Sequence, residues 1–511
     1  MKDKTKIPLF QTLIFIFMFI FFTKISPLVP FDADDWLFNG TMRGPYPLWG
    51  AFNPTRVLPE ILDPLGGEIA AFCIYPFTKD YIGSITIIQS LIVSLFVVTM
   101  FYNFFLLLIK KFRYSINVAL TSEAMFFLSF FLLFKHLNVP SYTAFWTVDI
   151  VCTFFYLIPG LLNATLVIDM LKYRDFGEEF NEFNNPKKGI FLLLLYFALF
   201  SNSQFNIILA TCVFCLLVKS LYKNKNNILS LNYFKEIWIY VLVLFTWLLT
   251  VIFDLNGGRA GSLNGTSDEP LLKKVPVLLN QFKGLLGSFN RIFSFFILLT
   301  VGIALGGAIY SLFRKNENKV DRLFSDLIFI DAISLILSLL YLLLAYVKAI
   351  PRYSSRPDAM WPVIFYFLFM FGLAVAFLIS KFNVLKILSP LVIIMSCIIT
   401  FNFSCPPIPS ISGLTPNMTA STAKKIDYYI INQIIKADKA GKSRVTVKVS
   451  QGSLTDNNWP QAYYMAGALS QSLYAHHIIN HRIAVEFKPS LKVNQQLNPD
   501  IKEVPFNPLE K

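Results

Sequence analysis

"SITIIQSLIVSLFVVTMFYNFFLLLIKKFR", residues 84–113, runs from 84 to 109 without a charged side chain and then ends in a basic cluster. At 1.5 Å per residue, this run exceeds the ~20 residues that cross a ~30 Å hydrocarbon core. Lysines at its end suit a headgroup boundary. The stretch therefore reads as a transmembrane helix. Similar apolar runs fall near 7–23, 115–134, 143–169, 189–201, 205–221, 236–254, 287–313, 326–347, 362–380 and 387–403. The chain is 511 residues long, 55% hydrophobic, with 53 phenylalanines and a mean hydropathy of +0.56. This composition excludes a soluble multidomain protein and predicts a polytopic α-helical membrane protein of about eleven spans. The pair 189–201 and 205–221 is separated only by "SNSQ", so one of the two could be re-entrant.

The net charge of +14 does not point to nucleic acid. The basic residues sit in short clusters between apolar runs, at 2–6, 110–113, 187–189, 222–227, 314–319 and 381–386. With the N-terminus cytoplasmic, all of them fall on the inner side, as the positive-inside rule requires. The same alternation puts residues 24–83, 254–274, 348–362 and everything after 403 outside. The first run reads as an uncleaved span, because "FTKISPLVP" offers no small-residue cleavage site. No nucleotide-binding glycine loop is present; "NGGRAG" lies in an external loop without strand–helix context.

Residues 1–403 thus form the membrane domain, 404–419 a Pro-rich linker and 420–492 a small extracytoplasmic α/β cap. Within the cap the pattern predicts a helix over 420–440, a strand over 444–450, a helix beginning near "WPQAYYMAGALSQSLYAHHI" and a strand over 483–490. Residues 493–511 read as a disordered tail. In the first loop, residues 54–77 carry helical apolar spacing broken by Pro and Gly. They predict short interfacial helices, with Trp36, Tyr46, Trp49 and Tyr75 at headgroup level.

The chemistry concentrates in "PLVPFDADDWLFNGTMRGPYPLWGAFNPTRVLPE", residues 27–60. Asp32, Asp34 and Asp35 follow the first span directly and precede Trp36. A solvated turn or helix cap would explain one such aspartate. Three at the membrane surface suggest a general base or a ligand for a divalent cation. Arg56 could snorkel to headgroups or fork onto a phosphate. Lys348, Arg352 and Arg356 crowd an external loop against the positive-inside tendency, which suggests a pocket for an anionic phosphate. Tyr353 and Trp361 would add aromatic surface there. His476, His477 and His481 admit metal ligation by spacing, but no carboxylate or cysteine accompanies them, and a surface location is expected. Cys212 and Cys215 lie inside an apolar helix and read as packing. Glu123, Asp149, Asp169 and Asp331 fall in spans, where ionisable residues are functional by default. Asp149, near an outer end, could join the external pocket.

The "DADDW" motif in a large first external loop, the downstream "NPTRVLP", about eleven spans and an outer C-terminal domain together resemble the GT-C superfamily of integral-membrane glycosyltransferases. The likeness is closest to Gtr-type enzymes of the bacterial envelope. The segment "SLTDNNWPQAYYMAGALSQSLYAHHIINHRIAVEF" also resembles outer-domain segments of Gram-positive membrane proteins. The resemblance implies a polyprenyl-phosphate-sugar donor and a surface-glycan or lipid-linked acceptor, with Asp34 or Asp35 as base. Arg56, Arg352 and Arg356 would hold phosphate, Asp32 being extra to a simple acidic pair. Such an enzyme would work beside a lipid-sugar synthase and a flippase. Family members differ in metal use, so no metal is carried over and a divalent ion stays an option. Two other classes compete: an envelope polysaccharide polymerase, which would rely on arginine-rich loops, and a flippase, which would show paired repeats. A non-catalytic scaffold would tolerate neutral residues at 34 and 35.

Overall fold

A computed structural model describes residues 2–31, 33–41, 54–135, 143–224, 230–256, 270–313, 319–348, 350–403, 420–449 and 463–497. Asp32, Tyr46, Trp49, most of the 254–274 loop, the 404–419 linker and the end of the tail lie outside them.

α1 (Lys2–Ile20) runs into a π-helical turn (Phe21–Ile25), and the first loop then carries α2 (Ala33–Gly40) and α3 (Val57–Ile69). α4 (Tyr81–Lys110) and α5 (Ile116–Leu132) follow, then α6 (Ile150–Leu171), with a π-helical stretch at Thr153–Leu157. Next come α7 (Phe176–Glu182), α8 (Asn185–Leu199), α9 (Ile207–Lys223), α10 (Leu231–Asn256) and α11 (Leu271–Ser288). α12 (Arg291–Phe313), α13 (Lys319–Lys348), α14 (Trp361–Lys381) and α15 (Asn383–Phe403) complete the helical body. The C-terminal part holds α16 (Ala420–Lys439), β1 (Arg444–Val449), α17 (Tyr463–Ala475), β2 (Ala484–Pro489) and α18 (Leu491–Leu497).

Among the described residues, seven helices are long and apolar enough to cross a membrane: Thr5–Ile25, Tyr81–Lys110, Ile150–Leu171, Tyr233–Asn256, Arg291–Tyr310, Val320–Lys348 and Trp361–Lys381. Their outward faces expose large apolar side chains such as Leu95, Phe245, Ile303 and Leu344, as hydrocarbon contact requires. The chain is therefore a helical, polytopic membrane protein. α5, α8 and α9 are apolar but shorter, at 17, 15 and 17 residues.

Ile150–Leu171 is enclosed along almost its whole length and forms the centre. Around it the phenylalanine content becomes an aromatic core. Phe101 and Phe104 of α4, Phe126 and Phe130 of α5, and Phe365 and Phe369 of α14 meet in edge-on, tilted or offset-stacked pairs. Trp361 is wholly buried, stacks on Phe365 and donates Nε1–H to the Ala144 carbonyl at 2.9 Å. Its indole lies against Gly160, where a Cβ would stand 2.6 Å from the ring. Gly160→Val is therefore expected to cost about 2 kcal/mol or more, read as a lowered melting temperature in detergent. An unchanged melting temperature would show that the contact relaxes freely.

The basic clusters collect at one end of the bundle. Lys111 donates to the Leu171 and Tyr173 carbonyls, Lys187 reaches Tyr173, Lys223 pairs with Asp175, and Lys381 pairs with Asp321 at 2.5 Å. α2, α3 and the 350–360 turn lie at the opposite end.

In the C-terminal part, β1 pairs in parallel with β2, from Arg444 opposite Ala484 to Val449 opposite Pro489. A parallel pair needs a crossover, and α17 supplies it. This unit sits on the first loop. The Ser472 hydroxyl donates to the Trp36 carbonyl, and Gly40 of α2 approaches Ser472 too closely for a side chain, since a Cβ would lie 2.5 Å from its Cα.

Three helices have no counterpart in the sequence reading: α7, α18, which runs into residues 493–497 read as disordered tail, and α11. α11 starts in the 254–274 loop and fills the stretch left unassigned before the 287–313 span. It is an amphipathic helix that buries Leu278 and Leu285 and exposes Leu272, Val277 and Leu279. Such a helix suits the plane of a membrane interface.

Candidate functional site

α2 starts where the first span ends, and its acidic first turn follows from the favourable interaction of carboxylates with a helix N-terminus. Its two described aspartates have separate surroundings. Asp35 is 1% exposed. Its Oδ2 accepts the Phe31 amide and its Oδ1 the Val151 amide, both at 3.0 Å. One bond closes the N-terminal turn of α2, and the other ties α2 to the start of α6. Asp34, on the adjacent helical position, is exposed. Trp36 is wholly buried and stacks on Tyr81 with centroids 6.4 Å apart, so its ring is committed to packing.

The start of α6, residues 149–157, is where the other singled-out residues gather. Asp149 caps α6 by accepting the Cys152 amide. Arg56 lies 5.6 Å above the Phe155 ring. Arg356 reaches the same segment from the far loop, with Nη2 at 3.2 Å from Cys152 Sγ and its guanidinium 5.4 Å from the Tyr156 ring. Asp35, Arg56, Asp149 and Arg356, spread over three hundred residues of sequence, thus surround one turn of helix.

The loop cations divide into two kinds. Arg356 is held by both oxygens of Asp358, Nε to Oδ1 at 3.0 Å and Nη2 to Oδ2 at 2.6 Å. Burial alone would lower its pKa, but the Asp358 carboxylate outweighs it and keeps the guanidinium charged. Because Asp358 is itself buried, this pair fixes the shape of the loop. Lys348 and Arg352 are exposed and enter no ion pair among the described residues. Tyr353 is half-buried, one face covered by Arg356 at 5.1 Å. Trp361, an aromatic candidate by sequence, belongs to the core.

Several neighbours escaped the sequence reading. Asp63 of α3 is fully buried. Its Oδ1 accepts Gln89 Nε2–H at 2.9 Å, while Oδ2 has no partner. Burial, and then the nearby Asp149, push its pKa well above the ordinary carboxylate value. A glutamine inside an apolar span was the available signal for a polar partner opposite. Asp254, at the end of α10, accepts from Thr55 at 2.6 Å and from Ser203. The Val57 amide donates to the Phe200 carbonyl at 2.8 Å. The turn 200–206 thereby anchors the Arg56 segment.

The C-terminal unit closes the opposite side of α2. Asp80 caps α4 through the Gly83 amide at 2.8 Å, pairs with Lys424 at 2.6 Å and accepts from Tyr428. His476, expected at the surface, is 2% exposed; its Nδ1 lies 2.6 Å from the Tyr81 hydroxyl. Tertiary docking of α17 on the first loop buries it. His477 and His481 are exposed, and no group of metal-ligating residues forms among the described residues.

Burial depresses the His476 pKa from its ordinary 6.5 to about 4. The undocked imidazole binds its proton first, so docking is at full strength above pH ~6.5 and weakens as pH falls toward ~4, by up to ~3 kcal/mol. Amides of α17 should accordingly exchange faster, after correction for intrinsic rates, at pH 5 than at pH 7.5. His476→Phe should remove that dependence.

The sequence matches no protein-family model, and neither a curated protein nor a solved structure is significantly similar to it.

Proposed function

We propose that the chain is an extracytoplasmic glycosyltransferase that moves a hexose from a polyprenyl-phosphate carrier to a cell-envelope glycan or lipid-linked acceptor. The observation that carries this reading is the convergence of an acidic first-loop helix and two arginines on residues 149–157, at the end of the bundle opposite the basic clusters. The exposed end is the outer one in this reading, because lysines and arginines favour the cytoplasmic side. Eleven spans follow if the shorter apolar helices and α15 are counted, and the C-terminal unit then caps the outer face.

Asp34 acts as the base. It accepts the proton of the acceptor hydroxyl as that oxygen attacks the anomeric carbon and the bond to the lipid phosphate breaks. Asp35 positions α2 against α6. Arg352, Lys348 and Arg56 stabilise the negative charge that develops on the departing phosphate, and the Arg356–Asp358 pair sets the shape of their loop.

A strain lacking the gene tests this directly through its envelope glycans. Loss of a single sugar with chain length unchanged is the expected result. Collapse of polymer length would favour the polymerase reading, and unchanged glycans would exclude both.

A further inference from the structure

Midway along α13, well away from the site above, a carboxyl group is buried without a partner. Asp331 is 2% exposed and neither of its oxygens accepts or donates a hydrogen bond. It lies eleven residues from Val320, ~16 Å along the helix, and seventeen from Lys348, ~25 Å. Both ends of the span are therefore remote. An ionised carboxylate left unpaired at that depth is strongly disfavoured, so the group has to hold a positive charge.

Hydroxyl groups cluster from the next turn of α13 onward. Ser334 and Ser338 follow at i+3 and i+7 on the same face of α13, and both are fully buried. From α9, Thr211 Oγ1 stands 3.3 Å from the Ser338 hydroxyl and 3.3 Å from the Tyr366 hydroxyl of α14. Tyr366 also donates to the Ile208 carbonyl, and Cys215 Sγ lies 3.8 Å from Ser334 Oγ. The titratable groups that interact with Asp331 are Cys212 from α9 and Tyr366 from α14, while Cys215 lies against Ser334. α12, also packed along α13, has no charged residue after Arg291. No lysine, arginine or histidine pairs with Asp331 among the described residues.

We infer that Asp331 forms an intramembrane binding site for one monovalent positive charge, a proton or a small alkali cation such as Na+, beside the buried Ser334 one turn along the same face of α13. Carboxylate and hydroxyl oxygens are the ligands a hard cation takes. This site is independent of the glycosyltransferase reading.

The test uses the full-length protein in detergent and a hydrophobic fluorescent carbodiimide. A protonated carboxyl adds across one C=N bond of this reagent, and the adduct rearranges to a stable acylurea with nothing released. The label is expected on the peptide containing Asp331 and absent from that region in Asp331→Asn. If the ligand is a proton, labelling falls as pH rises from about 5 to about 9. If it is Na+, labelling at fixed pH falls on adding NaCl but not choline chloride, and Ser334→Ala raises the half-protecting concentration about fivefold. No label at Asp331 overturns the inference, as does labelling unmoved by pH and by cation. Both series are read on the wild-type protein, so they stand even where Asp331→Asn fails to fold.

Discussion

Membranes carrying Asp34→Asn should transfer hexose ~10²–10⁴-fold more slowly than wild type, the range by which a positioned base accelerates proton transfer. The amide has almost the same shape but cannot take the proton of the acceptor hydroxyl. Since Asp34 is exposed on α2, the substitution should change folding stability by no more than ~0.5 kcal/mol. Loss of transfer with an unchanged melting temperature is the signature of a chemical role. Transfer within about twofold of wild type would remove Asp34 from the reaction.

Asp35 should respond in the opposite way. Its carboxylate is the acceptor for two buried backbone amides, Phe31 N–H and Val151 N–H. Asp35→Ala leaves both unpaired at ~1–3 kcal/mol each, so a loss of ~2–5 kcal/mol is expected, read as a lowered melting temperature and reduced membrane abundance. Asp35→Asn keeps one acceptor and should lose about half as much. Any fall in transfer should then track the fraction of folded protein. A stable but inactive Asp35→Asn would mean that this carboxylate, rather than its neighbour, meets the substrate.

Two adjacent aspartates look equivalent in "DADDW" because a sequence records spacing along a helix and not what lies across from it. Their difference arises from the start of α6, more than a hundred residues away. The membrane helices were legible for a simpler reason. Each is local, and apolar length alone is enough to specify a span. Helix, strand, helix and strand in the tail coincide with α16, β1, α17 and β2, again because their periodicities are local. α11 was missed because an amphipathic helix with exposed leucines resembles neither a span nor a loop. Its buried side packs under the 351–355 turn, where Ser354 donates to the Leu278 carbonyl at 3.1 Å.

Pairing outside regular elements was the illegible part. Arg356 and Asp358 lie two positions apart in a loop, where the backbone follows no period that shows the two side chains meeting. His476 looked like a surface residue because its burial depends on α17 meeting Tyr81, a contact across 395 positions. Asp63 has a raised pKa only because the protein interior and Asp149 surround it. In each case the residue type was visible and its environment was not.

The most direct measurement is envelope glycan composition in a strain lacking the gene and complemented with either wild type or Asp34→Asn, at matched membrane levels. The account predicts that one sugar is lost in the mutant strain, returns with wild type and stays absent with Asp34→Asn. Full restoration by Asp34→Asn would contradict it.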